Sequence, residues 1–181
     1  MSKFLVLSLV VVLGSCAGSA QVPNTAATRT VITFGSCAQE TKPQPILQQV
    51  ADLRPDVFIY LGDNIYGDTY DMNVLRAKYA QLAAKPEYQA LRRSTTVLAT
   101  WDDHDFGWND SGRNYPFAKE SKEIFLDFFE EPADSDRRKR DGIYASYLYN
   151  YGGKKLQIIL LDTRTFRDDL RNYRGELHTK A

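Results

Sequence analysis

The sequence predicts an α/β domain built on a parallel sheet, and three observations carry that prediction. Short apolar runs recur at Val31–Phe34, Val57–Leu61, Val97–Trp101 and Leu156–Leu161, each with the length of a buried strand. Segments of helical spacing separate the first run from the second and the second from the third. Each run also stops abruptly at polar groups: Gly35-Ser36-Cys37, Gly62-Asp63-Asn64-Ile65-Tyr66, Asp102-Asp103-His104-Asp105 and Asp162-Thr163-Arg164. Carboxyl ends of neighbouring strands share one edge of an α/β sheet, so endings far apart in sequence converge on one crevice.

Taken in order, residues 1–20 read as an export signal, with Lys3 as the positive start, Phe4–Leu13 as an apolar stretch too short to span a bilayer, and small residues after it. Leu13-Gly14-Ser15-Cys16 resembles a lipobox with Cys16 as the lipidated residue, and Gly18-Ser19-Ala20 suits ordinary signal peptidase. The chain is therefore expected outside the cytoplasm, either periplasmic and lipid-anchored at Cys16 or secreted. Residues 21–30 are small and polar, a tether, and one domain is expected over 31–181. Pro45–Leu53 has Ile46, Leu47, Val50 and Leu53 at helical spacing behind an initiating proline, and Arg54-Pro55 stops it. Asp71–Ala84 is a second helix, capped by Asp71 or Thr69, with Leu75, Tyr79 and Leu82 on one face. Glu87–Arg93 adds a short third. Phe117–Glu130 presents an aromatic core face closed by Pro132. The basic run Arg137–Arg140, set among Asp134, Ser135, Asp136 and Asp141, reads as a solvated loop rather than a phosphate funnel. Alternation over Gly142–Tyr151, the Gly152-Gly153 turn and the run Leu156–Leu161 make a hairpin whose second strand is buried.

Bulk charge excludes some partners, because 23 basic residues match 23 acidic ones and leave no electrostatic reason to expect nucleic acid or an anionic membrane surface. No nucleic-acid-binding patch is expected, and oligomeric state is not legible. Of the two cysteines, Cys16 is removed or lipidated, which leaves Cys37 without a disulfide partner. A thiolate metal ligand accounts for it just past a strand; a buried, inert thiol is the other reading.

A metal-assisted phosphoester hydrolase needs a carboxylate able to bridge two cations, further ligands around each, and a group that stabilises the leaving oxygen. Asp63, Tyr66, Asp103, Cys37 and His104 meet that description. Asp63 and Tyr66 lie three residues apart on one loop, and a phenolate beside a thiolate favours ferric iron. Asp102, Asp103, Asp105, Asn109 and Asp110 are oxygen donors of the kind calcium prefers. Asp162 and Arg164 either pair with each other to fix the fourth strand end or take a direct phosphate or metal role. Tyr66 has a core-packing alternative, and Trp101 and Trp108 are expected to wall the pocket.

At these residues the sequence resembles the alkaline phosphatase D (PhoD-like) family of metallophosphoesterases. Phe34-Gly35-Ser36-Cys37, Leu61-Gly62-Asp63-Asn64-Ile65-Tyr66, Thr100-Trp101-Asp102-Asp103-His104-Asp105 and Leu160-Leu161-Asp162-Thr163-Arg164 carry the resemblance, from about Val31 to about Asp169. It implies a calcineurin-like metallophosphoesterase sandwich (αββα) and an Fe3+ and Ca2+ site hydrolysing phosphate mono- and diesters. It also implies metal ligation by Cys37, Asp63, Tyr66 and Asp103, with Asp63 bridging, His104 near the leaving group and Asn109 as a further carry-over. Catalytic roles would fall to His104, Asp63 and Asp103.

Members of that family continue past the Asp-Thr-Arg strand into a Gly-Asp-x-His-type segment, whereas this chain holds only His104 and His178. The expectation is an incomplete sandwich lacking its C-terminal half, with impaired hydrolysis. Two other readings are a lipid-anchored, non-catalytic calcium or phosphate binding protein and a flavodoxin-like cofactor binder; the second lacks a glycine-rich phosphate loop.

Overall fold

The computed structural model describes residues 29–151 and 153–171. The export signal, Cys16, the tether up to residue 28, Gly152 and His178 lie outside the described residues. Strands β1 (Ile32–Gly35), β2 (Val57–Leu61) and β3 (Thr96–Thr100) form a parallel sheet in that order, with Ile32 opposite Val57 and Val57 opposite Thr96. Helix α1 (Pro45–Leu53) joins the first pair, and α2 (Met72–Ala83) and α3 (Pro86–Ser94) join the second. After β3 come α4 (Asp103–Phe106), α5 (Ala118–Phe128) and α6 (Asp136–Lys139), then the antiparallel hairpin β4 (Ala145–Tyr151) and β5 (Lys154–Leu160).

Local chemistry explains the boundaries. Pro45 opens α1, and Arg54 closes it in the left-handed region at φ 47°. Asp71 caps α2 by accepting from the Asn73 amide at 2.8 Å, while Thr69 Oγ1 accepts from the Asp71 amide at 2.9 Å. The two expected cap candidates thus act in series. Helix α5 stops at Phe128, two residues before the expected end, where Glu130 turns to φ 58°.

Alternation along β2 sends Phe58 and Tyr60 to one face and Val57 and Ile59 to the other, and all four are buried. On the first face they meet Leu47, Leu75, Tyr79, Leu91 and Phe125 from the helices. On the second, Val57, Ile59 and Leu98 meet Ile158 and Leu160 of the hairpin. The architecture is therefore helices, parallel sheet and a two-stranded second layer.

Three sequence expectations are corrected here. Arg137–Arg140 is not simply a solvated loop: most of it forms α6, and Arg137 is 3% exposed. Its guanidinium donates to Ala99 O at 2.6 Å and Ile143 O at 2.5 Å and sits 5.4 Å from the Phe125 ring centre. Strand β3 is an edge of its sheet, so a carbonyl there needs a donor, and the long fork of an arginine supplies one. The hairpin's second strand is buried on one face only, because Ile159 is 62% exposed between buried Ile158 and Leu160. Trp101 is a core residue rather than a pocket wall, packed edge-on against Phe106 and Phe125; Trp108 is half-exposed and stacks on Tyr70.

Replacing Arg137 by alanine strands the Ala99 and Ile143 carbonyls, and the expected loss is about 3 kcal/mol of unfolding free energy by urea titration. A loss below about 0.5 kcal/mol would show that the edge of β3 does not depend on it.

Candidate metal centre at the strand ends

The loops after β1, β2 and β3 meet at the carboxyl edge of the sheet. Backbone bonds join the first two, from Cys37 N to Gly62 O at 3.2 Å and from Ala38 N to Asp63 O at 2.8 Å. Gly62 has φ +112°, and a Cβ there would lie 2.6 Å from Asp102 Cβ. Only glycine allows that approach of the second loop to the third. Asp63 and Cys37 follow in the left-handed region, at φ 51° and 61°.

Asp63 is the common point. Its Oδ2 accepts from Cys37 Sγ at 3.6 Å, and its donor atoms lie within 4.8 Å of those of Asp103 and His104. Its Oδ1 is buried and has no hydrogen-bond partner. Burial pushes the Asp63 carboxyl up, and Asp103 and Asp102 push the same way against the opposing pull of His104. The Tyr66 ring lies 4.3 Å from that of His104. Burial, then Cys37, Asp63 and Asp103, push the phenol up to about 12. Cys37 is exposed and Tyr66 is half-buried at the site, so neither takes its alternative reading as an inert interior residue.

On the third loop, Asp103 is buried, and its Oδ2 accepts from the Asp110 amide at 2.6 Å. His104 Nδ1 bonds to both oxygens of Asp68, at 2.7 and 2.8 Å. Burial alone would lower the imidazole, but the Asp68 bond and the charges of Asp68, Asp103 and Asp63 raise it. Asp102 pairs with Arg164, whose Nη2 also lies 3.5 Å from Asp103 Oδ1. Asn109 donates to Asp110 at 2.9 Å on the neighbouring turn. Asp105 does not serve as an oxygen donor to the crevice: it is buried, and its carboxylate accepts from Asn64 N, Asn64 Nδ2 and Asp102 N.

The fourth ending arrives from the second layer. Thr100 Oγ1 donates to Leu161 O at 2.7 Å, bringing Asp162 beside Trp101. Asp162 accepts from Trp101 Nε1, the amides of Ile143, Arg164 and Thr165, and Thr165 Oγ1. Its carboxylate is fully engaged in bracing the loop, while Arg164 points to Asp102 and Asp103. The side chains of Asp162 and Arg164 form no ion pair with each other among the described residues.

Two residues escaped the sequence reading. Asp68 orients His104, and Glu40, buried, accepts from the Tyr66 amide and Lys78 Nζ, each at 2.9 Å. Both lie within three residues of a singled-out donor, which was the only signal available.

Thiol, phenol, carboxylate and imidazole groups at the carboxyl edge of a parallel sheet describe a candidate metal centre in a protein of the α/β class. The family of PhoD-like phosphatases matches over residues 32–180, and the chain belongs to that family. A solved structure of PhoD shares the fold with a TM-score of 0.61 at 20% identity, covering 77% of this chain and 32% of that one. The chain thus spans about a third of that protein's length. No curated protein matches it.

Hydrogen bonds hold the Asp162 carboxyl below its ordinary value against the opposing effect of burial. A depressed carboxyl contributes stability that is present above its unfolded value, ~3.9, and is lost as pH falls through the lower folded value. Asp162→Asn is therefore expected to melt below wild type at pH 7, with the gap closing below about pH 4. Gly62→Ala, which forces a Cβ onto Asp102, is expected to cost about 2 kcal/mol in the same melts.

Proposed function

We propose that this chain carries the nucleating face of a metal-dependent phosphoesterase centre, acting on phosphate mono- or diesters. The observation that carries the reading is Asp63, a buried carboxylate with one unpartnered oxygen between a Cys37–Tyr66 side and an Asp103–His104 side. Buried polar atoms without partners are costly in a protein interior, and a cation on each side of Asp63 would satisfy this one. Cys37, Tyr66 and Asp63 would hold ferric iron; Asp63 and Asp103, with Asn109 and Asp102 at the rim, would hold calcium. Bound there, the cations would supply charge neutralisation at the phosphoryl oxygens and a more acidic water.

The chain's own residues then divide the remaining work. His104, held through Nδ1 by Asp68 and with its imidazole raised by the Asp68 bond and the nearby carboxylates against the opposing effect of burial, would present Nε2 towards the departing alkoxide as a general acid. Asp68 fixes the imidazole's tautomer and orientation. Arg164 bridges Asp102 and Asp103 and offsets their mutual repulsion, and Glu40 pins the Tyr66 backbone. Export with attachment through Cys16 would put this chemistry outside the cytoplasm.

Ferric iron added to the protein is expected to give a visible charge-transfer band. Tyr66→Phe and Cys37→Ser should each remove part of it, and Asp63→Asn should weaken iron binding by about tenfold or more. A colourless ferric complex, or a band indifferent to Tyr66 and Cys37, would sink the assignment. His104 is the one histidine among the described residues, so the donor set for two cations is sparse. Turnover of a chromogenic phosphodiester with iron and calcium is expected well below the ordinary enzyme value of about 10 per second.

A further inference from the structure

Behind the loop that carries Asp162 and Arg164 lies an open cavity of about 590 Å³. It is walled by the start of α5, the end of α6 and residues Thr165 and Phe166. Its cations are Arg113, Lys119, Lys122, Arg138, Lys139 and Arg140, against the carboxylates Glu120, Glu123 and Asp141. A charge imbalance on a surface means little when each cation already has a partner. Four of these do: Arg138 pairs with Glu123 and Asp127, Lys139 with Asp136, and Arg113 with Asp168, while Lys122 donates to Arg138 O and Arg140 O.

The remaining two are uncommitted. Lys119 has no hydrogen bond or ion pair among the described residues. Arg140 lies 4.4 Å above the Tyr144 ring, and its Nε is buried with no acceptor. We propose that this cleft is an anion site, separate from the metal centre, that takes a phosphate dianion between Lys119 and Arg140.

The chemistry favours phosphate over a halide or a single carboxylate. A planar guanidinium and an ammonium together satisfy several oxygens of a tetrahedral dianion, which a spherical ion cannot exploit. Residues Ala118, Lys119 and Glu120 form the first turn of an 11-residue helix whose N-cap, Phe117, offers no side-chain acceptor. The Ala118 amide is already taken by Tyr115 O at 3.4 Å, so the helix start places the positive end of its dipole at this wall while the side chains of Lys119 and Arg140 supply the donors. Lys122 responds to this surrounding: burial pushes its ammonium down, and Arg138 and Arg140 push the same way against Glu123 and Asp141. The cavity exceeds the size of the ion itself, so the dianion can be inorganic phosphate or the phosphoryl group of a small ester.

The test uses the metal-free chain and does not depend on the metal centre. Inorganic phosphate and, separately, glycerol 3-phosphate are titrated at constant ionic strength and followed by amide and arginine Nε–Hε NMR signals. Saturable shifts are expected at Lys119, Arg140 and Thr165, with affinity falling about tenfold in Lys119→Ala and in Arg140→Ala. Asp63→Asn should leave the binding unchanged. Lys119 is exposed, and Lys119→Glu, checked for an unchanged melt, gives a second reading by charge reversal that does not disturb the partly buried Arg140. Tighter binding of glycerol 3-phosphate identifies an ester as the source, and equal binding identifies free phosphate. Shifts that do not saturate, that centre on Cys37 and Asp63, or that persist in the variants overturn the proposal.

Discussion

The buried Asp105 carboxylate is the interaction on which the centre depends. It accepts from the Asn64 amide at 3.2 Å, the Asn64 side chain at 2.5 Å and the Asp102 amide at 2.7 Å, and so ties the loop after β2 to the loop after β3. Asn64 Nδ2 also reaches Thr100 O at 2.9 Å, which anchors the tie to the sheet itself. Asp63 and Asp103 flank these two residues in sequence. Their positions follow from a joint buried deeply enough to be rigid. Burial pushes the Asp105 carboxyl far up, and the donated bonds are what oppose that shift.

Around the joint, acidic groups are crowded more closely than bare Coulomb repulsion favours. Three local devices manage the crowding. Arg164 reaches across from the second layer to Asp102 and Asp103, Asp68 and His104 pair off, and the Asp110 amide takes one oxygen of Asp103. None of them reaches Asp63 Oδ1. Among the buried carboxylate oxygens of the described residues, Asp63 Oδ1 is the one left without a partner, and a positive ion has the most to contribute at this carboxylate shared by the two sides.

The second layer has a double part. The hairpin covers β2 and β3 through Ile158 and Leu160 and delivers the loop that braces Trp101. Phe34, Leu148 and Leu161 remain more than 65% exposed, so the apolar surface of the two sheets is only partly covered among the described residues. This agrees with a chain that spans 32% of a solved relative of the same fold.

Much of this was legible from residue order alone. Apolar runs, proline and aspartate caps and the Gly-Asp ending locate the strands, helices and reactive loops, because these depend on contacts within a few residues. Cys37, Asp63, Tyr66, Asp103 and His104 were identifiable by chemical type and by position after a strand. What tertiary structure decided is which acids face one another. Asp105 and Asp103 are two residues apart, yet one is a buried joint and the other belongs to the cluster; Arg137 enters the core while Lys139 stays in water. Asp68 and Glu40 matter only through His104 and Tyr66, partners 36 and 26 positions away. Such pairings are set by the direction each side chain takes once the sheet has closed, and a charge read along the chain carries no information about that direction.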